Sequence, residues 1–192
     1  MDRIDAVLAT RNAHKARELE SLMPGWSIET LDADDWPEET GATYAENARI
    51  KAAFGHEGTG GWAVGDDSGI EVAALGGRPG LHSARYAEEG EPAVAKLLGE
   101  LEGVEDRRAR YVCELVAIAP DGRELRGSGI VEGRIAHAAR GTKGFGYDPI
   151  FVPDGEERTV GELGDDWKSQ HSHRARAARA LRDAVEGSGL AP

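Results

Sequence analysis

The chain has 192 residues and a mass of 20.5 kDa, and 40% of its residues are hydrophobic, enough for one sizeable core. Its net charge of −12 argues against a general nucleic-acid-binding protein, because such a protein needs a basic surface to displace phosphate counterions. No segment approaches the roughly 18 apolar residues of a membrane-spanning helix, and the N-terminal segment lacks a signal-peptide pattern. Cys113 is the only cysteine, which excludes an intramolecular disulfide. We therefore expect one cytoplasmic domain over residues 1–192, without membrane or nucleic-acid partners.

The start of the chain predicts a strand, a polar turn and a helix. IDAVLAT has the composition of a buried strand, RNAHK is polar, and ARELESLM carries apolar residues at helical spacing. Lys15 would lie in the first helical turn, where the helix dipole disfavours a cation unless an anion joins it. A phosphate site and an ordinary surface lysine explain this segment about equally well. The glycine pattern of a Walker A loop is absent.

An acidic, turn-rich segment, LDADDWPEETGATY, separates the first helix from a second one. Thr43 and Glu46 have the spacing of a capping box, so we predict that the second helix begins after Thr43. Glu38 and Glu39 offer carboxylates that could complete a metal site with acids elsewhere in the chain. Taken alone, such a pair is more typical of a solvated charge run.

Two adjacent aspartates follow an apolar run in GWAVGDDSGIEV. The apolar GWAV predicts a strand that ends at Asp66 and Asp67, where the carboxylates would offer hard oxygen ligands for Mg²⁺. The alternative is a turn in which the acids and Ser68 cap backbone amides and Gly69 takes a positive φ. Spacing alone gives the two interpretations about even weight.

The rest of the chain completes an α/β pattern. We predict an ordered loop in GGRPGLHSARY, a helix over residues 92–101, and a β-hairpin that turns at residues 120–122. A C-terminal helix is expected between a Ser172 cap and Gly187. No internal repeat or linker interrupts the sequence, so strands that alternate with helices predict one α/β domain.

The glycine-flanked segment GTKGFGYDP has residues suited to recognising a base. Phe145 could stack on a nucleobase, and Asp148 could accept hydrogen bonds. The structural alternative is a loop whose aromatic side chains pack into the core and whose Asp148 takes the extended conformation that precedes proline. The pattern leaves both interpretations open.

A cationic group lies around the predicted start of the C-terminal helix, in KSQHSHRARA. Its members are Lys168, His171, His173 and Arg174. His173 and Arg174 stand at the helix end that disfavours cations, and an anion or a ligand acceptor would relieve that conflict. The alternative is a basic helix face without a ligand. Metal binding by the two histidines is disfavoured, because residues two apart point to different sides of a helix.

Together these segments resemble the Ham1/inosine triphosphatase family of nucleotide pyrophosphatases. The resemblance runs through LATRNAHKARELE, EETGATYAENARIKA, GDDSGIEVAALGGRPGLHSARYA, GTKGFGYDPIFVPDG and SHRARA, in that order. It implies a curved central mixed β-sheet, flanking helices in two lobes with a nucleotide cleft between them, and a homodimer. It also implies Mg²⁺-dependent hydrolysis of inosine, deoxyinosine and xanthosine triphosphates to the monophosphate and pyrophosphate, which would cleanse the nucleotide pool.

The resemblance also implies roles for individual residues. The catalytic group would be Asp67, supported by Asp66 and Lys15. The metal ligands would be Asp67 and Glu39, with Glu38 as the alternative to Glu39. The substrate-binding residues would be Thr10, Arg11, Asn12, Ala13, His14, Lys15, Lys51, Ser68, Phe145, Gly146, Tyr147, Asp148, Lys168, His173 and Arg174. The first six of these would bind the polyphosphate, and the last seven would recognise the base.

Four departures from the family pattern border the expected site. Arg11 and Lys143 stand where the family usually has glycine, and Trp167 replaces an acidic residue. His171 and Ala175 flank SHR in place of an apolar residue and a glycine. These changes leave two alternatives open. One is a related pyrophosphatase with another base preference, such as modified pyrimidines. The other is a nucleotide-binding regulator without turnover.

Overall fold

The structure, a computed structural model, describes residues 3–87 and 92–190. Its strands in those ranges are β1 (Ile4–Ala9), β2 (Trp26–Thr30), β3 (Trp62–Val72), β4 (Arg108–Ile118), β5 (Glu124–Ile135) and β6 (Phe151–Pro153). Its helices there are α1 (Ala13–Leu22), α2 (Tyr44–Thr59), α3 (Ala93–Glu100), α4 (Val160–Leu163), α5 (Asp165–His171) and α6 (His173–Gly187). None of these helices has the length and apolar character needed to cross a membrane.

All six strands join one mixed sheet in the order β2-β1-β3-β4-β5-β6. β1 is parallel to β2 and to β3, with Ile4 opposite Trp26 and Ala6 opposite Trp62, whereas β5 and β6 are antiparallel. The chain passes through α1 and then α2 between its parallel strands, because parallel pairing requires a crossover connection. The predicted α/β fold, with a mixed sheet and flanking helices, is confirmed.

Two compact units share this sheet, and each has its own apolar core. The described residues divide between them as 3–67, 113–129 and 173–190 for the first unit, and 68–87, 92–112 and 130–172 for the second. In the first core, Trp26 and Trp62 meet edge to face with ring centroids 5.3 Å apart. In the second, Tyr111 and Phe151 pack with centroids 4.4 Å apart. Helix α5 thus belongs to the second unit and α6 to the first.

Side-chain caps begin the two helices that follow β1 and the acidic segment. Asn12 accepts hydrogen bonds from the backbone N–H groups of His14 (3.0 Å) and Lys15 (3.4 Å), so α1 begins after it. Thr43 accepts one from the N–H of Glu46 at 3.2 Å, which confirms the predicted start of α2. Lys15 therefore lies in the first turn of α1, as the sequence predicts.

The strand that begins with GWAV does not end at the aspartates, so the prediction of a strand end or a turn there is wrong. β3 continues through Asp66, Asp67 and Ser68 to Val72, and Gly69 does not take a positive φ. Neighbouring side chains of a strand point to opposite faces, so the two carboxylates are not side by side. Each has its own cationic partner, and for that reason the buried strand tolerates both.

The segment around KSQHSHRARA also differs from the prediction. The C-terminal helix itself is confirmed, since α6 runs from His173 to Gly187 as predicted. Lys168 and His171 come before it, in the last turn of a separate helix, α5, which the sequence analysis does not predict. The break falls at Ser172, whose ψ of 158° is extended. Because only one residue separates the two helices, the periodicity of the sequence does not distinguish them.

Several short elements have no counterpart in the sequence predictions. β2, β6 and α4 contain 5, 3 and 4 residues, too few to show a clear period. A 3₁₀ turn, Ala73–Leu75, comes just before the segment GGRPGLHSARY, and that segment, predicted to be irregular, contains a second one, Gly80–Arg85. The tight turn between β4 and β5 is where the sequence predicts it, and Gly122 N–H donates there to the Ala119 carbonyl at 2.9 Å.

Gly65 lets α2 pack closely on β3. A Cβ at this position would lie 1.9 Å from the carbonyl oxygen of Ala48 and 2.8 Å from the backbone nitrogen of Ala52. Residues 65 and 67 share one face of the strand, so α2 covers the face that carries Asp67. The bare glycine backbone therefore sets the distance between Asp67 and the side chain of Lys51 on α2.

Gly65→Ala is expected to lower the free energy of unfolding by about 3 kcal/mol, because the backbone of α2 has to move away from the added methyl group. Gly58→Ala is the matched control on α2 itself. Nothing lies within 4 Å of a Cβ there, and alanine favours a helix by roughly 0.5–1 kcal/mol. Urea denaturation measures both changes. Equal stability of Gly65→Ala and the wild type would contradict the close approach.

Candidate functional site

The turn between β1 and α1 carries the first group of predicted substrate residues. Thr10 Oγ1 accepts a hydrogen bond from the N–H of Asn12 at 3.1 Å, and Asn12 caps α1. Arg11, Ala13 and His14 are exposed. The helix start is thus held in place by side-chain hydrogen bonds and is accessible to solvent, an arrangement that favours an anion.

Arg11, which replaces a glycine of the family pattern, connects this turn to the acidic segment. Its guanidinium carbon lies 5.3 Å from the ring centroid of Trp36, within the range of a cation–π contact. Trp36 is held by a hydrogen bond from its indole N–H to the Ala33 carbonyl (3.0 Å) and by the ring of Phe54, 5.7 Å away. The side chain of Arg11 therefore rests on the segment that also carries Glu39.

Lys15 extends from the helix start to Asp66, a carboxylate that is only 1% exposed. Arg174 reaches the same carboxylate from α6, with Nε 2.7 Å from Oδ2 and Nη2 3.4 Å from Oδ1. A second carboxylate, that of Glu18, accepts from Arg174 Nη1 at 2.6 Å. The thiol of Cys113 lies 3.6 Å from Asp66 Oδ2. Two cations and two anions thus form one buried cluster in the first unit.

The cluster keeps Asp66 ionised. Burial by itself raises the pKa of Asp66, but the charges of Arg174 and Lys15 outweigh burial and hold the pKa well below its ordinary value. Burial and the nearby Asp66 charge raise the pKa of the Cys113 thiol, which therefore stays protonated and serves as a donor. Asp66 is accordingly a permanent anion between α1 and α6.

Asp67 lies in a different environment on the other face of β3. Its Oδ1 is 2.9 Å from Lys51 Nζ, and its Oδ2 accepts from Asn47 Nδ2 at 3.3 Å. Lys51 Nζ is also 2.9 Å from Glu39 Oε1. Burial raises the pKa of Asp67; Lys51 opposes that rise, and the charge of Glu39 adds to it. Of the two neighbouring aspartates, Asp67 is the one that takes up a proton more readily.

Asn47 and Glu18 are site residues that the sequence analysis misses. The side-chain oxygen of Asn47 accepts a hydrogen bond from the N–H of Gly41 at 2.8 Å, and its side-chain nitrogen donates to Asp67. Asn47 is therefore held by the acidic segment and in turn orients the Asp67 carboxylate. Asn47 and Lys51 are four residues apart and therefore share a face of α2. This four-residue spacing could have identified Asn47 as a site residue. The three-residue spacing between Lys15 and Glu18 on α1 could have identified Glu18 in the same way.

The oxygens of Asp67 and Glu39 converge on one cationic group, the ammonium of Lys51. Glu38, the alternative to Glu39, is exposed. Hard carboxylate oxygens suit Mg²⁺, which is usually held by one or two carboxylates together with substrate phosphates and water. Among the described residues, no group of three or more His, Cys, Asp or Glu side chains could hold a metal ion. Asp67 and Glu39 therefore fit Mg²⁺ as two of its hard oxygen ligands, with water or a bound anion supplying the others.

A second buried carboxylate, Asp148, organises the GTKGFGYDP segment in the second unit. Lys168 Nζ lies 3.0 Å from Asp148 Oδ2, and the hydroxyl of Tyr111 donates to Oδ1 at 3.2 Å. The N–H of Phe145 also donates to Oδ2, at 2.9 Å. Gly144 has a φ of +77°, and a Cβ there would lie 2.1 Å from Asp148 Oδ2. The Asp148 carboxylate thus fixes the conformation of the loop that contains it.

The aromatic residues of this segment divide between a cation contact and the core. Phe145 is partly buried, with Lys168 Nζ 4.4 Å from its ring centroid. Tyr147 is buried and donates its hydroxyl to the Ser83 carbonyl at 2.9 Å, which matches the core-packing alternative for that residue. Gly146, between them, is exposed with a φ of +59°.

The predicted residues divide between the two units. In the first unit are Thr10 to Lys15, Glu39, Lys51, Asp66, Asp67, His173 and Arg174; His173 is 8% exposed in the first turn of α6. In the second unit are Ser68, Phe145 to Asp148 and Lys168; Ser68 is partly buried in β3.

A cavity of about 650 Å³ in the second unit has none of the predicted residues in its lining. Its walls include Arg107, whose guanidinium donates to three backbone carbonyls at 2.8–2.9 Å, those of Leu101, Ile135 and Ala136. Such a guanidinium joins chain segments, so Arg107 has a structural role in this cavity.

Asp66→Asn is expected to lower the free energy of unfolding by about 3–5 kcal/mol near neutral pH, because Lys15 loses its carboxylate partner and Arg174 keeps Glu18 but loses Asp66. The folded-state pKa of Asp66 is depressed, so its charge stabilises the fold above the ordinary carboxyl pKa, and this contribution is lost as the pH falls through the lowered value. The stability difference between the wild type and the variant should therefore narrow below about pH 4.

Urea denaturation of the metal-free protein over a pH series measures this difference. The matched control is Asp32→Asn, an exposed carboxyl of the acidic segment, for which the difference from the wild type should stay small throughout. A gap for Asp66→Asn that stays constant down to about pH 3 would show that the charge of Asp66 does not stabilise the fold.

The sequence matches the Ham1 family over residues 6–184. The dITP/XTP pyrophosphatase of Gloeobacter violaceus is 47% identical over 178 residues, which cover 91% of each chain. The dITP/XTP pyrophosphatase of Thermus thermophilus is 46% identical over 189 residues, which cover 94% of this chain and 91% of that protein.

Solved structures agree with the sequence matches. The Staphylococcus aureus Ham1 protein superposes with a TM-score of 0.85 at 37% identity, over 96% of this chain and 99% of that one. A nucleoside-triphosphatase / dITP/XTP pyrophosphatase from Mycobacterium abscessus superposes with a TM-score of 0.72 at 39% identity, over 93% and 98% of the two chains. The chain therefore belongs to the Ham1 family.

Proposed function

We propose that this protein hydrolyses the triphosphates of inosine, deoxyinosine and xanthosine to the nucleoside monophosphate and pyrophosphate, and so removes these purines from the nucleotide pool. The observation that carries the proposal is the environment of Asp67. A carboxylate with a raised pKa is held by Lys51 and Asn47, in a chain that is 47% identical to a dITP/XTP pyrophosphatase. The capped, accessible start of α1 supplies the polyphosphate site.

Asp67 acts as the general base in this proposal. A water molecule adds to the α-phosphorus, the bond from that phosphorus to the α–β bridging oxygen breaks, pyrophosphate leaves with the bridging oxygen, and a proton of the water passes to a carboxylate oxygen of Asp67. A base is most effective when its pKa approaches the working pH, and in the metal-free protein burial raises the pKa of Asp67 in that direction. Asn47 orients the carboxylate through its amide hydrogen bond.

Lysine side chains would neutralise the charge that develops on the phosphates. Lys15 stands in the first turn of α1 and Lys51 beside Asp67, so cations approach from both faces of β3. We also propose Mg²⁺ as the cofactor, held by Asp67 and Glu39. When bound, Mg²⁺ would supply a dication that neutralises phosphate charge. It would also neutralise the carboxylates of Asp67 and Glu39, which otherwise pair with Lys51.

The family resemblance assigns base selection to Phe145–Asp148, Lys168, His173 and Arg174. Of these, Arg174 is buried and donates to Asp66 and Glu18, so any contact that it makes with a base is additional to those ion pairs. Inosine and xanthosine carry a 6-oxo acceptor where adenine carries a 6-amino donor, so a pocket of N–H donors pairs with the former only. Each buried donor left unpaired costs on the order of 1–3 kcal/mol, about 10- to 100-fold in discrimination. Guanine shares the 6-oxo group and differs at the 2-amino position.

We further propose that residues 1–192 act as a single domain in a cytoplasmic homodimer, as the family resemblance implies. Sedimentation velocity of the purified chain tests the dimer. A monomer at all concentrations would remove that part of the proposal and leave the reaction unchanged, because Lys15, Lys51, Asp66 and Asp67 all belong to one chain.

The function is tested by measuring pyrophosphate release in the presence of Mg²⁺ from a panel of nucleotides: ITP, XTP, dITP, GTP, ATP, dTTP and dUTP. We expect strong release from the first three, and Asp67→Asn should lower kcat by about a thousandfold because the general base is lost. Asp35→Asn, an exposed acid of the acidic segment, is the control and should retain activity. Activity centred on another base would support the alternative base preference. Tight binding of ITP without any release would support the regulator and overturn the enzyme proposal.

Glu39→Gln is expected to raise the Mg²⁺ concentration required for half-maximal activity by about tenfold or more, because one hard oxygen ligand loses its charge. Glu38→Gln is the matched control, since Glu38 is the adjacent residue and is exposed. Mg²⁺ titrations of pyrophosphate release from XTP measure both variants. An unchanged Mg²⁺ requirement for Glu39→Gln, with a raised one for Glu38→Gln, would assign the metal to Glu38.

A further inference from the structure

Asp66 is shared by two cations that differ in their freedom to move. Arg174 contacts both carboxylate oxygens, with Nε 2.7 Å from Oδ2 and Nη2 3.4 Å from Oδ1, and its side chain is 1% exposed. Lys15 contacts Oδ1 alone, and its side chain is 16% exposed. The arginine is therefore the inner partner of Asp66, and the lysine is the outer partner.

Arg174 is also tied to the helix that carries Lys15. Its Nη1 lies 2.6 Å from Oε2 of Glu18, three residues after Lys15 on α1. A guanidinium is planar and holds two carboxylates through a rigid set of donors, whereas the ammonium of a lysine is a point charge on a flexible four-carbon chain. Lys15 can leave Asp66 by rotation of its own side chain, but Arg174 cannot leave without losing two ion pairs.

We infer that Arg174 is a positioning residue that frees Lys15 for the phosphates of the substrate. When Lys15 turns from Asp66 to a phosphate, Arg174 keeps the buried carboxylate neutralised. Without Arg174, the departure of Lys15 would leave an uncompensated charge in the core, which is strongly unfavourable. The inference rests on the proposed function only in taking Lys15 as a phosphate ligand.

A ligand without a base separates this role from base recognition by Arg174. Imidotriphosphate has the charge of a tripolyphosphate, its P–N–P bridges resist hydrolysis, and it has no nucleobase. If Arg174 acts through Asp66 and Lys15, its loss weakens imidotriphosphate binding. If Arg174 only reads the base, its loss leaves that binding unchanged and weakens binding of nucleotides alone.

The experiment is isothermal titration calorimetry of the full chain with imidotriphosphate in Mg²⁺ buffer. Arg174→Gln should bind at least about tenfold more weakly than the wild type, because Lys15 becomes the remaining counter-ion of Asp66. Arg174→Lys, which keeps the charge, should recover most of the lost affinity. Arg179→Gln, an exposed arginine of the same helix, is the matched control and should bind as the wild type does.

A double variant tests the coupling directly. In Asp66→Asn/Arg174→Gln the charge of Asp66 is removed together with Arg174, so Lys15 is no longer held as its counter-ion, and imidotriphosphate affinity should return to within about threefold of the wild type. The double variant replaces a buried ion pair by two neutral amides, so it also serves if Arg174→Gln alone does not fold.

Two results would overturn the inference. One is wild-type affinity for imidotriphosphate in Arg174→Gln, together with weakened binding of XTP. The other is a double variant that still binds about tenfold more weakly than the wild type. Both measure binding, so they differ from a failure of the proposed function, which would be a wild-type protein that binds imidotriphosphate but releases no pyrophosphate from any nucleotide.

Discussion

The burial of the Asp66 carboxylate is the constraint on which the site in the first unit depends. A charge in the core is tolerated only when cations neutralise it, and Lys15 and Arg174 bring them from the first turns of α1 and α6. The same contact explains why two cations stand at helix starts, where the dipole disfavours them. Asp66 thus joins the turn between β1 and α1 to the C-terminal helix.

The alternation of a β-strand converts two adjacent aspartates into two different groups. Asp66 meets Arg174 and Lys15 and has a lowered pKa, whereas Asp67 meets α2 and has a raised one. A turn at this position would have placed both carboxylates in one environment, where they would repel each other. The continuous strand therefore separates a structural anion from a group that can accept a proton.

Much of the fold follows from local patterns in the sequence. The cap at Thr43, the apolar period of α1 and the glycine turn before β5 each depend on a few neighbouring residues, and the structure has them where the sequence predicts. The predicted end of β3 is wrong because it does not depend on neighbouring residues alone. Whether Asp66 and Asp67 interrupt a strand depends on cations that come from other elements, and local composition contains no information about them.

The sequence by itself determined the α/β fold, the starts of α2, α3 and α6 and, through its resemblance, the family. Only the tertiary structure decided which charged groups meet. Lys15 and Asp66 are 51 residues apart, and Arg174 and Asp66 are 108 apart. The physical reason is that helix period and capping act over one or two turns, whereas burial and charge pairing depend on contacts that exist only once the chain has folded.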